Sequence, residues 1–552
     1  MGTKVENDRA DVARRSAKFP PTVWGFTFAS FSLQDSEIES YNKEVEQLKL
    51  KVKEMLMMST QEITKNIEFI NLLCRLGVSY HFETEIKHQL SHIFTNLPDF
   101  LQKNDYDLHT AALLFRVLRQ HGHKVPSDIF EKFKEKDGEF SGTLTSDVKG
   151  LLSLYEASFV SVNGEDILNE ASKFSKKYLE RYLDNNSEQT SPYIEYHIRY
   201  SLECPNHTGM ERVETTQFIS YYRQHDSMNP LLLKFAVLDY NRLQLLYRHE
   251  LALVSKWWKE SKLPETLTYA RDRIVEVYVW ALGCLPGPKY SLSRLLIAKY
   301  TQMAMTVDDT YDVYGTLDEL ESFTAAFERC NINAIDELPH YMKALYKVIL
   351  ELFGETQNDN NGESSYKTSY AKEMFKELTR ADLVEARWFD NGYVPRFDEY
   401  LRNAMITTTS ELLIAALFLG LKDAGMKEMI WVRESPKIVK ATQKLVRLYD
   451  DVATHEEEQK RGDCPSAVEC YMNEYGVTKE EATEEIKKMI RNIWKEINEG
   501  YMEESRVSRS IVEYFLNFAR MSNFVYRIRD AYTYSTNLKD YVLKLFLEPL
   551  PL

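Results

Sequence analysis

Apolar residues recur at helical spacing near both ends of this chain, and the alternation typical of a β-strand is rare throughout. Glycine and proline, the residues that most often interrupt helices, number only 20 and 16 in 552 residues. The sequence therefore predicts an all-α fold built from many long helices. The stripes that show the spacing most clearly consist of Val45, Leu48, Val52, Met55 and Leu56, and of Ile511, Tyr514, Phe515 and Phe518.

A chain of 552 residues is too long for one ordinary hydrophobic core, so two domains are expected. The segment 226–230 is rich in turn-forming residues and separates two stretches of helical pattern. We therefore predict an N-terminal domain of residues 1–228 and a C-terminal domain of residues 229–552.

The formal net charge of −15 argues against general attraction to nucleic acid or to an anionic membrane surface. Much of this excess serves only to keep a large protein soluble. If the substrate is itself an anion, a local cluster of cations must overcome the repulsion, and metal ions or arginines are the available means. No nucleic-acid partner is expected.

The cysteine pattern and the apolar runs bear on location. Six cysteines are scattered without a CxxC pair, which favours reduced thiols in a reducing compartment. The longest apolar run, residues 412–421, is too short to span a bilayer. The first residues lack an apolar signal core and are acidic for a transit peptide. We therefore expect a cytoplasmic protein without a membrane span.

A first acidic cluster ends an apolar helical stretch. Asp308 and Asp312 are four residues apart, so they lie on one helix face about one turn apart. Like charges this close repel, and a hard cation such as Mg²⁺ removes the penalty. Asp309 points elsewhere and is expected to support the ligands from behind. The alternative is a solvated acidic face, but the apolar residues upstream indicate a buried helix.

A second acidic cluster lies much later in the chain. Asp450, Thr454 and Glu458 follow an i, i+4, i+8 spacing, which places three oxygen-bearing side chains on one helical stripe. Such a stripe can bind one Mg²⁺ and leave positions open for phosphate oxygens. The alternative is a surface helix with a run of glutamates, which describes Glu456 and Glu457.

Arginines accompany both clusters. Arg447 lies about one turn before Asp450, and Arg271 and Arg273 precede the first cluster. Guanidinium groups match phosphate oxygens with paired hydrogen bonds. Residues two apart point away from each other on a helix, so Arg271 and Arg273 serve one site only if their segment is a loop or a helix start.

Together these clusters resemble the motifs of the class I terpene synthases of plants, of the sesquiterpene synthase type. DDTYD at 308–312 is similar to the family's DDxxD motif, and DDVATHEEE at 450–458 is similar to its second metal motif. RDR at 271–273 resembles its RxR motif. Arg14, Arg15 and Trp24 resemble its RRx8W motif. Each motif alone is weakly specific, but four in the right order cover essentially the whole chain.

The resemblance implies a fold and a chemistry. The fold would be all-α with two helical domains, an N-terminal α-barrel-like domain without its own active site and a C-terminal class I terpenoid synthase bundle. The N-terminal domain would carry the RRx8W motif on an N-terminal strand. The reaction would be metal-triggered loss of diphosphate from a prenyl diphosphate, giving an allylic cation that cyclises or rearranges.

The resemblance also assigns roles to individual residues. The metal ligands would be Asp308 and Asp312 for two Mg²⁺ ions and Asp450, Thr454 and Glu458 for a third, with Mn²⁺ as a substitute. The departing diphosphate would be gripped by Arg271, Arg273 and Arg447.

Other resembling residues would shape the pocket. Trp280 would offer an aromatic face to the cation, and Thr408 lies in a threonine triplet that resembles the helix break at the pocket floor. Asp530 and Tyr532 resemble the late loop that closes over the site. Alanine stands at 531, where the family usually has glycine, so the geometry of this loop is left open.

Cytosolic members of the family usually use farnesyl diphosphate. The RRx8W motif begins at residue 14 and leaves no room for a plastid transit peptide. We therefore expect a monomeric lyase that converts farnesyl diphosphate to a sesquiterpene, with geranyl and geranylgeranyl diphosphate as alternatives. The motif DxDD is absent and its nearest match is DYDL at 105–108, so protonation-initiated cyclisation is not expected.

Two rival functions remain. A prenyl-elongating synthase is also a helical bundle, but it usually carries DDxxD twice and is near half this length. An inactive helical scaffold is the non-enzymatic alternative, and the complete set of ligand-type residues in both clusters argues against it.

Overall fold

The computed structural model describes residues 14–185, 192–357, 363–422, 424–527 and 529–552. The described chain is helical and contains no β-strand. Its β-type pairing is limited to an isolated antiparallel bridge between Lys134 and Phe140. The all-α prediction is confirmed.

The first helices of the described chain form the N-terminal part, and all but the seventh contribute to a core that includes Leu73, Leu114, Phe130 and Leu154. The seventh packs in a small separate cluster with Leu151 and Leu179. These first helices are α1 (Asp35–Ser59), α2 (Ile63–Arg75), α3 (Glu83–Lys103), α4 (Leu108–Gln120), α5 (Val148–Ser158), α6 (Asp166–Asn185), α7 (Pro192–Glu203) and α8 (Glu211–Tyr222).

The later helices form a second, larger core. They are α9 (Pro230–Ser261), α10 (Leu263–Thr266), α11 (Ile274–Cys284), α12 (Ser291–Asp309), α13 (Leu317–Arg329), α14 (His340–Gln357), α15 (Glu363–Asp390), α16 (Phe397–Thr407), α17 (Ser410–Gly420), α18 (Met426–Arg433), α19 (Lys437–Arg461), α20 (Ala467–Tyr475), α21 (Lys479–Glu503), α22 (Arg509–Tyr526) and α23 (Lys539–Phe546).

Helix α9 belongs to both cores. It begins where turn residues were noted in the sequence: the side chain of Asn229 accepts from the amides of Leu231 and Leu232, and Pro230 occupies the first turn. Its first residues pack in the N-terminal core and its later ones in the C-terminal core. The boundary predicted between residues 228 and 229 falls at the start of this shared helix and stays a prediction.

Six helices of the C-terminal part enclose a cavity. Neighbours pack in the order α11, α12, α17, α16, α19 and α22, and α22 returns to α11. Both acidic clusters lie on members of this ring, the first at the end of α12 and the second on α19. The ring brings distant parts of the sequence to face one space.

One stretch of the described chain, Phe397–Gly420, is long and apolar enough to cross a membrane by length and composition. Most of its apolar window is buried inside the protein, at 61%. The stretch is interrupted by Thr409, whose φ of 61° lies in the left-handed region. These features are those of core helices, so the stretch is weak evidence for a membrane span.

Candidate active site

The first acidic cluster lies where α12 ends. The chain passes there into a π-helical turn, Thr310–Tyr314. The amide of Gly315 donates to the carbonyl of Thr310 at 2.8 Å, which is the i to i+5 bond of such a turn. Asp308 therefore belongs to the α-helix and Asp312 to the wider turn, and both line the cavity.

Arg271 binds two of the three aspartates. Its backbone amide and Nε donate to Asp309 at 2.7 and 2.9 Å, and its Nη2 donates to Asp308 at 2.9 Å. Burial opposes the charge on Arg271, but Asp309 and Asp308 outweigh it and hold its pKa well above the ordinary value. Asp309 is only 1% exposed, and burial raises its pKa to about 6. Asp309 thus anchors the arginine, but it also contributes to the cavity lining instead of lying wholly behind it.

Asp312 stands among other carboxylates. Burial, followed by repulsion from Asp308, Glu385 and Asp382, raises the pKa of Asp312 well above its ordinary value. The Oδ2 atom of Asp382 is buried without a hydrogen-bond partner. A group of buried carboxylates with so little compensation is stabilised by shared protons or by a bound cation.

Asp382 and Glu385 were missed from the sequence. Both lie on α15, three residues apart, and both face the first cluster. Glu385 lines the cavity, and burial raises its pKa to about 7. Their spacing was the available signal, but it looks like an ordinary charged helix face because nothing local indicates burial.

The second acidic cluster keeps the predicted helical stripe. Asp450, Thr454 and Glu458 all lie on the continuous helix α19, and all line the same cavity as the first cluster. The hydroxyl of Thr454 donates to the carbonyl of Asp450 at 3.0 Å, which leaves its oxygen lone pairs free. Burial raises the pKa of Asp450 to about 7, and burial with repulsion by Asp450 raises that of Glu458 well above its ordinary value.

Arg447 accompanies the second cluster. Its Nη2 donates to Asp450 at 2.9 Å, and its Nη1 donates to Asp451 at 3.2 Å. Its Nε is buried without a partner. Asp451 is 1% exposed and also accepts from the Tyr400 hydroxyl at 2.8 Å and from the Ala467 amide at 2.9 Å. Arg447 lines the cavity and can turn its fork towards an anion there.

The structure brings nearly all predicted site residues to one cavity. Asp312 and Glu458, from opposite motifs, face the same space. The predicted residues in its lining are Arg271, Trp280, Asp308, Asp312, Thr408, Arg447, Asp450, Thr454, Glu458, Asp530 and Tyr532.

Below the charged groups the wall is apolar and aromatic. Trp280 packs edge-on against Phe518, with ring centroids 4.9 Å apart, and lies 6.0 Å from the Tyr532 ring. Ala304 and Leu413 also belong to the lining. Such a wall excludes water and presents ring faces to positive charge.

The break between α16 and α17 forms part of the wall. The hydroxyl of Thr408 donates to the carbonyl of Met405 at 2.7 Å and lies 2.6 Å from the hydroxyl of Ser410. Its polar group is thus occupied locally, while its remaining surface faces the cavity.

The late loop is ordered by Asp530. The carboxylate of Asp530 accepts from the amides of Tyr532 at 2.8 Å and Thr533 at 3.1 Å. Ala531 is buried and is not among the described residues with positive φ. The loop therefore adopts its turn without the conformational freedom of glycine at 531.

Arg273 does not line the cavity. Its Nε donates to the carbonyl of Tyr532, and its Nη2 donates to the carbonyls of Pro20 at 2.6 Å and Thr533 at 3.2 Å. Its Nη1 donates to the carbonyl of Asp272 at 2.7 Å. The expectation that Arg273 grips the diphosphate is not met, because every terminal nitrogen of this buried side chain is committed to a carbonyl. It ties the N-terminal segment to the late loop instead.

The N-terminal segment lies across the mouth of the cavity. It forms no strand between Arg14 and Trp24, which corrects the expected N-terminal strand. Arg14 donates to both oxygens of Glu319 at 2.8 Å, and Arg15 donates to Asp463 at 2.8 Å. Phe19 lines the cavity between them, and sequence reasoning missed it because an isolated aromatic carries no motif.

The oxygen ligands of the two motifs are suited to an open magnesium site, not to a site in which protein side chains alone surround the metal. Within the described residues, no three His, Cys, Asp or Glu side chains converge closely enough to hold a metal ion alone. Each motif instead places a few oxygen ligands at the edge of the cavity. Mg²⁺ is commonly bound by one or two carboxylates, with water and substrate phosphates as its other ligands. The partnerless oxygen of Asp382 agrees with a cation at this end of the cavity.

Sequence models of two protein families match this chain. The model described as "Terpene synthase, N-terminal domain" matches residues 23–202. The model described as "Terpene synthase family, metal binding domain" matches residues 259–496, which include both acidic clusters.

Named relatives match over nearly the whole chain. "Probable terpene synthase 8" of Ricinus communis is 67% identical and covers 100% of both chains. "Casbene synthase, chloroplastic" of Ricinus communis is 43% identical over 97% of this chain and 89% of its own. "Valerianol synthase TPS8" of Camellia sinensis is 41% identical over 99% of this chain and 98% of its own.

Solved structures share the fold. A limonene synthase bound to 2-fluorolinalyl diphosphate superposes with a TM-score of 0.91 at 31% identity, covering 98% of this chain and 100% of its own. The isoprene synthase of Populus x canescens, with three Mg²⁺ ions and dimethylallyl-S-thiolodiphosphate, gives 0.86 at 32% identity, covering 96% and 99%. The chain therefore belongs to the plant terpene synthase family and is a class I terpene synthase, a carbon–oxygen lyase that acts on phosphates.

Proposed function

We propose that this enzyme ionises farnesyl diphosphate with the help of magnesium and cyclises or rearranges the resulting cation to a sesquiterpene. The observation that carries the proposal is the facing arrangement of Asp312 and Glu458 across one cavity. Hard oxygen ligands at the mouth and an aromatic wall below match a substrate with an anionic head and an apolar tail.

In this proposal the two clusters bind three Mg²⁺ ions, and Mn²⁺ is a substitute. Asp308 and Asp312 would hold two ions, and Asp450, Thr454 and Glu458 would hold the third. Bound magnesium acts as a Lewis acid that stabilises the negative charge of the departing diphosphate. The likeness to an isoprene synthase with three Mg²⁺ ions supports the number.

Arg271 and Arg447 would bind the diphosphate from opposite sides. Each is anchored by a buried aspartate, Asp309 for Arg271 and Asp451 for Arg447. Each also contacts an aspartate that faces the cavity, Asp308 or Asp450, so a small turn of the guanidinium is enough to reach an anion. Two anchored arginines add positive charge where the leaving group develops negative charge.

The lower cavity would keep the cation away from water. Trp280 and Tyr532 present rings to this space, and an aromatic face stabilises a nearby cation by about 0.5–2 kcal/mol. Arg273 holds the late loop through the carbonyls of Tyr532 and Thr533, so it would help to close the mouth rather than contact the substrate.

The choice of farnesyl diphosphate is supported by the valerianol synthase, a sesquiterpene synthase that matches nearly its full length to this chain. We further propose that the enzyme is a cytoplasmic monomer. All six cysteines are free, which is typical of a reducing compartment. Localisation of a fluorescent fusion and light scattering of the purified protein test these two points.

The decisive experiment supplies farnesyl, geranyl and geranylgeranyl diphosphate separately with Mg²⁺ and identifies the products by gas chromatography and mass spectrometry. We expect a fifteen-carbon product from farnesyl diphosphate, with none after chelation by EDTA. Product from geranyl or geranylgeranyl diphosphate alone would overturn the substrate assignment. No product from any of them would favour an inactive helical scaffold. A longer diphosphate formed from isopentenyl and dimethylallyl diphosphate would favour the prenyl-elongating rival.

A further inference from the structure

We propose that Tyr269 is a positioning residue, which holds the π-helical turn of the first acidic motif so that Asp312 points to the metal site. The inference rests on the proposed function, since it concerns how this chain binds magnesium. It concerns a side chain that is neither a ligand nor part of the cavity lining.

The π-turn decides where Asp312 points. A π-turn is wider than an α-turn, so each of its residues advances the chain by less than about 100° around the axis. The side chain at position 312 is therefore rotated back towards the line of Asp308. If the turn rewound as an α-helix, Asp312 would move around the axis and away from that line.

Tyr269 contacts both ends of this turn. Its ring stacks on Tyr314, with centroids 3.9 Å apart and an angle of 4° between the planes. Its hydroxyl lies 2.9 Å from the hydroxyl of Thr310. Because the Thr310 hydroxyl already donates to the carbonyl of Thr306, the Tyr269 hydroxyl must be the donor to Thr310. One side chain therefore spans the turn from its first residue to its last.

The segment that carries Tyr269 also carries Arg271. Arg271 binds Asp308 and Asp309 just before the turn, and Tyr269 binds residues 310 and 314 within it. Asp312 lies between these two sets of contacts, and the main influences on its carboxylate are burial and neighbouring carboxylates. Its direction is thus set by the backbone of the turn rather than by a partner of its own.

The exit of the turn is equally restricted. A Cβ atom at Gly315 would lie 2.5 Å from the Leu320 side chain and 3.1 Å from the carbonyl of Thr310. Arg14 donates to the carbonyl of Tyr314 at 3.1 Å, and the Tyr341 ring packs edge-on against Tyr314. The end of the turn is therefore fixed by the close packing at Gly315 and by the contacts of Tyr314 with Arg14 and Tyr341.

The test measures metal binding directly. Tyr269→Leu removes the stack and the hydrogen bond, and Tyr269→Phe removes the hydrogen bond alone. Tyr346→Leu is the matched control: Tyr346 is buried in the same domain, packs on Phe327 and donates to the carbonyl of Ala326, but does not touch the motif. Calorimetric titration of Mg²⁺ in the presence of inorganic diphosphate gives the affinity, and Mn²⁺ electron paramagnetic resonance gives an independent measure.

We expect Tyr269→Leu to weaken Mg²⁺ binding by about 10-fold or more, and Tyr269→Phe by a few-fold, as for other residues that orient metal ligands. Tyr346→Leu should lower the melting temperature without changing the affinity. If Tyr269→Leu does not fold, Tyr269→Phe and Thr310→Val carry the test, since both remove the hydrogen bond between Tyr269 and Thr310 from an intact stack. Thr310→Val also removes the bond from the Thr310 hydroxyl to the carbonyl of Thr306, so the two variants must agree.

Wild-type affinity in folded Tyr269→Leu, or in both Tyr269→Phe and Thr310→Val, would overturn the inference and leave the proposed function standing. An equal loss of affinity in Tyr346→Leu would overturn it too, because a general loss of packing would then explain the result. Failure of the wild type to bind Mg²⁺ with diphosphate would overturn the proposed function as well.

Discussion

The two acidic motifs share a plan but are held in different ways. In each, the first aspartate faces the cavity, as Asp308 and Asp450 do, and the next is almost fully buried and binds an arginine, as Asp309 and Asp451 do. Asp309 also contributes to the cavity lining, whereas Asp451 does not. In the second motif the arginine comes from the same helix, three residues before Asp450. In the first it comes from a loop that precedes α11.

The second motif is therefore positioned by local helix geometry, and the first by contacts between distant chain segments. Helix α19 alone sets the relative positions of Arg447, Asp450, Thr454 and Glu458. The first motif depends on a loop, a π-turn and the N-terminal segment, which all meet only in the folded protein. We therefore expect substitutions around the first motif to affect stability and geometry together, and those on α19 to affect the chemistry more selectively.

The largest effect should follow removal of one cavity-facing carboxylate from either motif. Asp312→Asn and Glu458→Gln keep the size of the side chain and replace a proposed hard anionic ligand with a neutral amide. Because Lewis-acid stabilisation is worth several kcal/mol, we expect kcat to fall by about 10³-fold or more in each. Steady-state release of diphosphate measures the change.

Glu456→Gln is the control for this pair. Glu456 lies on α19 beside the motif, but it is exposed and pairs with Lys479 at the surface. Its substitution should leave kcat unchanged. Near-normal turnover in either Asp312→Asn or Glu458→Gln would show that the reaction does not require the carboxylate of that motif. The two motifs would then not act in the same way.

The second largest effect should distinguish the two arginines. Arg271→Met leaves Asp309 buried with only a backbone amide as partner, and removal of one member of a buried pair costs about 3–5 kcal/mol. Arg447→Met should cost less, about 1–3 kcal/mol, because Asp451 keeps the Tyr400 hydroxyl and the Ala467 amide. Urea denaturation of both variants gives the free energies of unfolding.

A double variant sharpens this comparison. Arg271→Met with Asp309→Asn removes the unpaired charge and should recover most of the lost stability. Equal losses for Arg271→Met and Arg447→Met would show that the additional partners of Asp451 do not matter.

The same contrast explains what the sequence could predict. The stripe of Asp450, Thr454 and Glu458 followed from spacing alone, because a continuous α-helix preserves its periodicity. The pairing of Asp308 with Asp312 also followed from spacing. The π-turn between them did not, since contacts with Tyr269 and the crowding at Gly315 come from tertiary structure.

The errors concern residues whose surroundings are set by distant chain segments. Arg273 was expected at the diphosphate because it belongs to the same short motif as Arg271, yet carbonyls of Pro20 and Thr533 surround its guanidinium. Asp382 and Glu385 were missed because their burial depends on the packing of α15 against the π-turn. Periodicity predicts which face a residue takes, but not which distant segment covers that face.

An intermediate effect is expected at Thr454, whose hydroxyl has no counterpart among the predicted ligands of the first motif. Thr454→Val keeps the shape and removes the oxygen, and we expect about a 10–100-fold loss of Mg²⁺ affinity. Thr454→Ser keeps the oxygen and should stay near the wild type. Titration with Mg²⁺ and inorganic diphosphate measures both. Equal affinity in Thr454→Val and the wild type would mean that Asp450 and Glu458 suffice.

The smallest effect concerns the two N-terminal arginines. Arg14 supports the first motif and Arg15 supports the second. Arg14 binds Glu319 on the helix after the first motif, and Arg15 binds Asp463 just after the second. Burial acts to raise the pKa of Glu319, but Arg14, the Thr316 amide and the Tyr341 hydroxyl outweigh it and lower this pKa from 4.5 to about 2. Burial instead raises the pKa of Asp463.

The pKa of Glu319 is lowered and that of Asp463 is raised, so ionisation of Glu319 stabilises the fold and ionisation of Asp463 does not. The contribution of Glu319 is complete above pH 4.5, where the unfolded chain is also ionised, and is lost as pH falls towards 2. Glu319→Gln should therefore lose about 1–2 kcal/mol at pH 7, less than the full shift implies because the pair is partly open to water. The difference from the wild type should narrow below pH 4.5.

Asp463→Asn should change stability at pH 7 by less than about 0.5 kcal/mol, because losing the pairs with Arg461 and Arg15 is offset by removing the cost of a buried ionised carboxylate. Glu321→Gln is the control. Glu321 lies on the same helix as Glu319 and forms an exposed pair with Arg387 of α15. The free energy of unfolding of this variant should match that of the wild type at every pH. Urea denaturation between pH 7 and about pH 2.5, which crosses the interval in which the contribution of Glu319 is lost, measures all three variants. A loss in Glu319→Gln that stays constant across this range, or one that Asp463→Asn equals, would contradict the idea that the N-terminal segment supports the first motif more strongly than the second.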